Sequence, residues 1–439
     1  MAERIVLKGG MELFYNHCTA NKATEFFVGI KTGHFDNGKN KGLAHFFEHM
    51  LFKGTTKHTA DEISAIWHTK IRSLNAYTSN KSVRIYFYES NKRLEEGMSL
   101  ASELLFDSTF PEEEMKKEKE VIKQEIAMRK DHFENNLIGR LIALSLGRLD
   151  ICDGLDYCLG TPEDLDRYSR EDLLKFKREN VCSNNIRITI STGLSLHKVK
   201  KLIKKYFIDR VEENQNLQSF DYKKLAMIGK PQSLIVTKNE KNKVFFTLFI
   251  KNNLKIDKVE NGVYLGYLEE LINGIGGEFL QKLREEKGLV YGARMGFVQS
   301  FQDGKIVFKV DTTKDKVNEC LDTIREVCID LLKNGVDVNN FEKIKEDKLL
   351  RQDFTIKTPK DACEKKVFFY DDYGRLPKKH EYQKIVKKTT YDDVNSLMYE
   401  ALCDTNDVWF GAVGNLEKND VYSHAKIKKM FDFRKYSKK

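Results

Sequence analysis

The sequence has no stretch that approaches the ~20 consecutive apolar residues that a membrane-spanning helix requires. Its opening segment, MAERIVLKGGMELFYNH, has no apolar core behind a basic start, unlike a secretory signal. It also lacks the Arg- and Ser-rich composition of a transit peptide. These absences predict a soluble protein of the cytoplasm with no membrane partner.

Paired cysteines are missing as well. No CxxC pair occurs, and a chain of 439 residues does not need disulfide bonds to stabilise a small core. We expect reduced, mostly buried thiols that do not bind metal, because thiolate metal sites use tighter clusters. The eight cysteines are Cys18, Cys152, Cys158, Cys182, Cys320, Cys328, Cys363 and Cys403.

A dense basic patch is the third absence. The formal net charge is only +9, and part of it lies in the C-terminal run KIKKMFDFRKYSKK. Nucleic-acid-binding proteins usually concentrate their charge in a patch or a known module, so we expect no nucleic-acid partner. The composition, 41% hydrophobic and 32% charged, is typical of a soluble globular protein, and the length suggests two or three domains.

Three weak internal repeats are present. LLFDSTFPEEEMKKEKEVIKQE resembles LLKNGVDVNNFEKIKEDKLLRQ, and GLAHFFEHMLFKG resembles GVYLGYLEELING. In the third pair, YSREDLLKF followed by NIRITISTG resembles TYDDVNSLM followed by DVWFGAVG. The pairs occur in the same order at a separation of about 220 residues, which indicates two homologous halves.

The polar segment 211–232 is typical of a linker, so we predict an N-terminal half at 1–210 and a C-terminal half at 233–439. Strands and helices mix without a regular βαβ alternation, which predicts α+β halves, each a largely antiparallel sheet packed with helices. The predicted strands are Thr24–Thr32, Val83–Glu89, Arg187–Thr192, Ser233–Val236, Val244–Ile250 and Lys305–Val310. The predicted helices are Gly42–Phe52, Leu94–Leu105, Glu112–Lys130, Arg170–Asn180, Val263–Ile272, Lys316–Lys333 and Asn339–Arg351.

An HxxEH motif, His45-Phe46-Phe47-Glu48-His49, lies in one of these helices. Residues i and i+4 lie one turn apart on the same side, so the two imidazoles can converge on one ion with Glu48 beside them. Zinc suits two imidazoles and a carboxylate, with a fourth position open to a water whose pKa falls from ~16 toward ~7. Glu48 could then accept the proton. The alternative is a pair of ordinary histidines, since the motif can occur by chance.

We expect the third ligand to be a carboxylate on another helix. STFPEEE is typical of a helix start, with capping residues, proline and then acids. Buried carboxylates on the helix that follows would need a neutralising cation such as a metal ion. The alternative is exposed glutamates paired with Lys119 or Lys123. The stripe in question, which has the spacing of a buried face, is Met115, Glu118, Ile122, Glu125 and Arg129.

GLAHFFEHMLFKGT resembles the inverzincin signature of the insulinase and pitrilysin family, which includes the mitochondrial processing peptidases. The resemblance implies that Glu125, 76 positions after His49, is the third ligand, and that Glu118 supports the site. It implies one Zn2+ per chain, held by His45, His49 and Glu125, with Glu48 as the catalytic base. Only the first half of the family's fold carries metal.

Two further segments extend the resemblance. LNAYTS is similar to the family's segment at the substrate-binding sheet edge, which implies that Asn75, Ala76 and Tyr77 contact an extended peptide. LREEKGLVYGA resembles a segment whose Arg and Tyr reach the substrate. This implies that Arg284 and Tyr291 hold the scissile carbonyl and stabilise the oxyanion.

The sequence also departs from the family. Ile71-Arg72 replaces a usual Gly-Gly pair, and a common threonine is absent near Val83; both changes put cleft shape and specificity in doubt. In the second half, hydrophobic residues and an acid replace the motif: Leu265, Leu268 and Glu269 stand where the first half has His45, Glu48 and His49.

These observations predict a zinc endopeptidase that cleaves peptides or leader and presequence segments in an enclosed chamber. The resemblance implies a dimer, either a homodimer or a heterodimer with a homologous subunit. One alternative is a non-catalytic or partner-dependent assembly subunit of the same fold, although such relatives typically lose metal ligands. The other is a metal-dependent hydrolase that acts on substrates other than peptides.

Overall fold

The computed structural model describes residues 2–18, 22–71, 73–130, 133–148, 158–218, 221, 224–238, 242–274, 277–300, 302–351, 359–378, 380–405 and 407–436. Arg72, Cys152 and the linker positions 219, 220, 222 and 223 lie outside these residues, as does the side chain of Cys363. Within the described part of the chain, no helix combines the length and the apolar character that a membrane crossing needs.

The strands are β1 (Ala2–Val6), β2 (Glu12–His17), β3 (Ala23–Ile30), β4 (Asn75–Thr78), β5 (Val83–Ser90), β6 (Ile186–Thr192), β7 (Ser233–Thr237), β8 (Lys243–Asn252), β9 (Gly292–Ser300), β10 (Asp303–Thr313) and β11 (Val408–Gly414). The helices are α1 (Leu43–Met50), α2 (Ala60–Lys70), α3 (Leu94–Asp107), α4 (Glu112–Lys130), α5 (Phe133–Leu146), α6 (Pro162–Arg167), α7 (Arg170–Asn180), α8 (Leu196–Tyr206), α9 (Val259–Asn273), α10 (Glu278–Leu280, continued by a π-helical turn at Gln281–Glu286), α11 (Val317–Asn334), α12 (Val338–Arg351), α13 (Pro359–Tyr373), α14 (Glu381–Lys388), α15 (Tyr391–Cys403) and α16 (His424–Met430).

The first sheet has the strand order β1-β2-β6-β3-β5-β4. Strands β2 and β6 are parallel, and the other neighbouring pairs are antiparallel. Strand β4, which contains the predicted substrate residues, therefore lies at an edge and pairs with β5 on one side.

The second sheet has the order β7-β11-β8-β10-β9, with β7 and β11 parallel and the other pairs antiparallel. From β2 and β7 onward, the two sheets share one order and one set of directions. Two homologous halves with largely antiparallel sheets are thus confirmed.

The central strands are buried at successive residues because both faces of each sheet are covered. Every residue of β3 from Thr24 to Ile30 is buried, where a sheet with one wet face would alternate. On one face of the first sheet, Val28 and Ile188 join the helices in the main core. On the other face, the rings of Phe14 and Tyr370 meet edge to face at 5.2 Å.

The chain forms two compact units and passes between them more than once. The first unit comprises Met1–Asp131, Leu155–Phe220 and Thr355–Pro377, and the second comprises His132–Gly154, Asp221–Phe354 and Lys378–Lys439. Helix α5 therefore belongs to the second unit, although it follows α4 in sequence, and helix α13 belongs to the first.

Side-chain contacts explain this exchange. In the second unit, Leu137 of α5 packs against Phe245 and Val413 of the sheet, and Gly411 leaves room for it because a Cβ there would lie 3.1 Å from Leu137 Cδ1. In the first unit, the Arg187 guanidinium binds Asp371 of α13 at 2.8 Å. The division at 211–232 stays a prediction, and a single cut along the chain does not describe the exchange.

Candidate metal centre

Helix α1 carries the HxxEH motif and is held by its buried face. Phe46, Phe47 and Met50 are fully buried in the core of the first unit. Gly42, just before the helix, has a φ of 76°, and a Cβ there would lie 2.3 Å from the Leu159 carbonyl oxygen. Glycine is therefore required for this start, and the start sets where the two histidines point.

Helix α4 supplies the carboxylates, and the predicted stripe is covered from Met115 to Glu125, whereas its last member, Arg129, is exposed and Ile126, outside the stripe, is buried. Met115, Glu118 and Ile122 are buried, and Glu125 is half-buried. Burying an acid in this way is costly unless cations or hydrogen-bond donors surround it. The side chains around Glu118 and Glu125 supply both.

Three donor atoms meet at one point. His45 Nε2 and His49 Nε2 are 3.2 Å apart, and Glu125 Oε2 lies 3.8 Å from the first and 3.7 Å from the second. Two ligands of a tetrahedral zinc, each at ~2.1 Å, are about 3.4 Å apart. Among the described His, Cys, Asp and Glu side chains, His45, His49 and Glu125 alone form a group of metal-binding size. The donor set and its spacing fit zinc.

Glu118 orients the second histidine. Its Oε1 lies 2.8 Å from His49 Nδ1, and its Oε2 binds Lys53 Nζ at 2.6 Å. Burial raises the pKa of Glu118, but the hydrogen bonds from His49 and Lys53 outweigh it and lower that pKa overall. An ionised Glu118 accepts a hydrogen bond from the Nδ1–H of His49. In that tautomer the Nε2 lone pair is available to a metal ion.

Burial keeps the His45 imidazole neutral. It is 7% exposed, and burial first, then the neighbouring His49, lowers the pKa of His45 well below its ordinary value. Its Nδ1 is buried without a hydrogen-bond partner in the structure. A neutral imidazole is the form that binds a metal ion.

The two remaining polar groups at the site have different partners. Glu125 Oε1 binds Arg129 at 2.7 Å, whereas Glu48 Oε2 accepts a hydrogen bond from the Thr78 hydroxyl at 2.7 Å. Burial raises the pKa of Glu48, and the Thr78 hydroxyl opposes that rise. Of the three acids, Glu48 is the one without an ion pair among the described residues.

The structure places the other predicted residues as follows. Asn75, Ala76 and Tyr77 lie on the edge strand β4 of the first unit. Arg284 lies in the π-helical turn of the second unit, and Tyr291, which is 78% exposed, precedes β9 there. The roles of these five residues toward a substrate remain predictions.

Sequence reasoning missed three residues that contact the site: Lys53, Thr78 and Arg129. Lys53 lies inside the signature segment and Arg129 lies on the predicted stripe, so their positions gave a signal that was not used. Thr78 gave a weaker signal, because nothing local in the sequence pairs a strand residue with Glu48 on another element.

The six cysteines with described side chains take no part in the group of candidate ligands. Cys18, Cys158, Cys182, Cys320, Cys328 and Cys403 are free thiols in the described part of the chain. Burial raises the pKa of Cys158 to about 11, which favours the protonated thiol.

Comparison with known proteins gives matches along most of the chain. Residues 14–145 match the family model described as Insulinase (Peptidase family M16), and residues 167–347 match Peptidase M16 inactive domain. A Bacillus subtilis (strain 168) protein named Uncharacterized zinc protease YmxG is 24% identical over 355 residues, 79% of this chain and 82% of its own length.

Two other matches differ in extent. The human mitochondrial-processing peptidase subunit beta is 28% identical over 180 residues, 40% of this chain and 35% of its own length. The crystal structure of a protease from Helicobacter pylori superposes with a TM-score of 0.78 at 20% identity, and the match covers 94% of this chain and 99% of that one. This structural likeness supports the fold alone.

Proposed function

This chain belongs to the insulinase family, peptidase family M16, and on that premise we propose that it is a zinc-dependent endopeptidase. The observation that carries the proposal is the convergence of His45 Nε2, His49 Nε2 and Glu125 Oε2 from two helices. When bound there, zinc supplies Lewis acidity that polarises a peptide carbonyl and acidifies a water.

The side chains around this point have separate tasks in the proposed reaction. Glu48 lies one residue before His49 and has no ion pair among the described residues, so we assign it as the base that takes the water proton and delivers it to the leaving amine. Glu118 keeps the His49 lone pair directed at the site, and Lys53 keeps Glu118 ionised.

The edge strand suggests how a peptide is held. Among the described strands, β4 pairs only with β5, and its outer edge can accept an extended peptide as an added strand. We propose that Asn75, Ala76 and Tyr77 contact the substrate there, and that Arg284 and Tyr291 contribute to carbonyl and oxyanion binding, as the family resemblance implies. We also propose dimerisation with a second copy or a homologous subunit, which light scattering on the purified chain would detect.

The test combines a peptide library with one conservative substitution. Purified zinc-loaded protein should cleave a subset of library peptides, detected by mass spectrometry, and phenanthroline should stop cleavage until zinc is added back. Glu48→Gln removes only the base, so turnover should fall by about 10²- to 10⁴-fold while the zinc content stays at the wild-type level.

Different failures would have different meanings. Retained cleavage by Glu48→Gln would refute the role of Glu48 as the base. A wild-type protein that binds zinc at this site but cleaves no peptide would point to the assembly-subunit alternative. Cleavage that persists after complete removal of metal would contradict the proposal that the protein is a metallopeptidase.

A further inference from the structure

Thr78 connects the edge strand β4 to the base assigned above. It is the last residue of β4, and its hydroxyl lies 2.7 Å from Oε2 of Glu48 on helix α1. Thr78 belongs neither to the candidate ligands nor to the predicted substrate contacts. It is therefore a contact between the two elements that the proposed reaction needs, the strand that holds the peptide and the helix that carries the base.

The Thr78 hydroxyl can donate one hydrogen bond, and two acceptors lie within reach. The carbonyl oxygen of Ala44 is 3.5 Å away, at the limit of a hydrogen bond, whereas the Glu48 carboxylate is 2.7 Å away. A bond from a hydroxyl to a carboxylate is charge-assisted and stronger than one to a carbonyl. The Thr78 hydroxyl therefore donates its hydrogen bond to Glu48.

The backbone of Thr78 is itself held in place. Thr78 pairs with Val83 in the sheet, and the turn that follows is closed by Ser79 N–H, which donates to the Ser82 carbonyl at 2.8 Å. The Ser82 N–H returns a bond to the Ser79 hydroxyl at 3.1 Å. The hydroxyl of Thr78 is thus presented from a rigid strand end and not from a loose loop.

A glutamate that acts as a base needs such an anchor. Its side chain has three rotatable bonds, and a carboxylate that samples several rotamers spends little time where it can reach a water. At the other acids of the site a full positive charge does the anchoring, from Lys53 at Glu118 and from Arg129 at Glu125. At Glu48 a neutral hydroxyl does it, which orients the group without adding charge.

We infer that Thr78 is a positioning residue for catalysis: its hydroxyl holds the Glu48 carboxylate in the orientation needed to take a proton, and it ties that orientation to the strand that binds the peptide. The inference rests on the proposed function. It predicts that loss of the hydroxyl slows turnover more than it weakens substrate or zinc binding.

The experiment compares Thr78→Val, which keeps the shape and removes the donor, with Thr78→Ser, which keeps the donor. With zinc-loaded full-length protein and a peptide from the library digest, kcat of Thr78→Val should fall by about 10- to 100-fold, with KM changed by less than about 3-fold. Thr78→Ser should restore kcat to within about 3-fold of the wild type. Zinc content should be unchanged in both variants.

A matched control is Thr69→Val, on the exposed helix α2, where the hydroxyl donates to the Ala65 carbonyl at 2.6 Å. This variant should keep the wild-type kcat. Equal losses for Thr78→Val and Thr78→Ser would overturn the inference, because shape and not the hydroxyl would then be decisive. So would a wild-type kcat in Thr78→Val.

A second measurement does not depend on activity. In crystal structures of zinc-loaded wild type and Thr78→Val, the Glu48 carboxylate should leave its position when the hydroxyl is removed. An unmoved carboxylate would contradict the role of Thr78 even if the chain cleaves no peptide. A wild type without activity but with a displaced Glu48 in the variant would count against the proposed function and not against the contact.

Discussion

Each unit contains a pair of helices that correspond in the repeat, and the two pairs are held together by different chemistry. In the first unit, α1 and α4 meet through His45, His49 and Glu125. In the second unit, α9 and α12 meet through an ion pair, in which Lys348 Nζ binds Glu270 at 2.6 Å and the Gly266 carbonyl at 3.0 Å. At the same position of the fold, the first unit thus has a group of candidate metal ligands and the second unit has a lysine ion pair.

The charged groups of the two helix pairs differ as the proposed zinc site would require. Among the described residues, the three acids Glu48, Glu118 and Glu125 have only two lysine or arginine partners, Lys53 and Arg129. The second pair balances itself, since Lys348 is buried and its ammonium is paired. The proposed zinc ion would complete the first arrangement, whereas the described residues of the second pair offer no group of three candidate ligands.

The edge strands β4 and β9 also differ, in how their outer backbone groups are hydrogen-bonded. Ala76 of β4 and Met295 of β9 hold equivalent positions in the two sheets. Ala76 pairs with Ile85, which pairs with Val28. Met295 pairs with Phe308, which pairs with Leu248. At Met295, the Asn273 side chain accepts a hydrogen bond from the backbone N–H at 2.8 Å and donates one to the carbonyl at 2.7 Å.

Asn273 therefore imitates a neighbouring strand and closes the second edge at that point. At Ala76, the N–H donates to the side chain of the adjacent Asn75 at 2.8 Å. A side chain from the same strand can rotate away, whereas one from the end of a packed helix cannot do so without leaving buried groups unpaired. In the repeat, Asn273 stands where the first unit has Lys53, which serves Glu118 instead.

Glu125→Gln should break the comparison most strongly. It removes a ligand charge from the first helix pair, so we expect the zinc content, measured by plasma mass spectrometry, to fall from about one per chain to near zero after dialysis. Glu270→Gln removes the carboxylate of the ion pair between α9 and α12 and should leave zinc at the wild-type level. Wild-type zinc in Glu125→Gln would move the third ligand elsewhere.

A smaller effect is expected from Glu118→Gln. The amide can still accept a hydrogen bond from His49 but no longer forms an ion pair with Lys53. Loss of a residue that orients a metal ligand typically costs 10- to 100-fold in metal affinity. Competition with a chromophoric chelator measures this loss. The matched control is Glu103→Gln, because Glu103 binds His58 Nδ1 at 2.7 Å away from the candidate ligands. Equal affinities in both variants would remove Glu118 from the metal site.

Much of this fold was predictable from local patterns. Helix α4 has the predicted bounds of Glu112–Lys130, because its proline, its acids and its stripe all mark the same segment. Helix α2 was missed, because Ile63 is its buried residue and so small a core contact leaves little periodicity. The exchange of α5 and α13 was missed as well, because it depends on which sheet each helix packs against, and no local pattern encodes that choice.

In the candidate site, too, local patterns predicted some residues and missed the contacts between separate elements. Helical spacing was enough to bring His45, Glu48 and His49 together, but Glu125 needed the family resemblance, because residue reasoning alone left Glu118 equally eligible. Lys53 at Glu118, Thr78 at Glu48 and Asn273 at Met295 are contacts between separate elements. Such partners are set by tertiary packing, so the sequence indicated which candidate ligands come together better than which residues contact them.

Asn273→Ala is the mildest test of the comparison. It leaves the N–H and carbonyl of Met295, a fully buried residue, without their partner, so the free energy of unfolding should fall by about 1–2 kcal/mol, since water can replace part of the lost bonding. Chemical denaturation measures this change. Asn261→Ala, on the same helix but with a single exposed bond to the Lys255 carbonyl at 2.8 Å, should cost less. Equal costs would mean that Asn273 only caps its helix, and the second edge would then be as open to an added strand as the first.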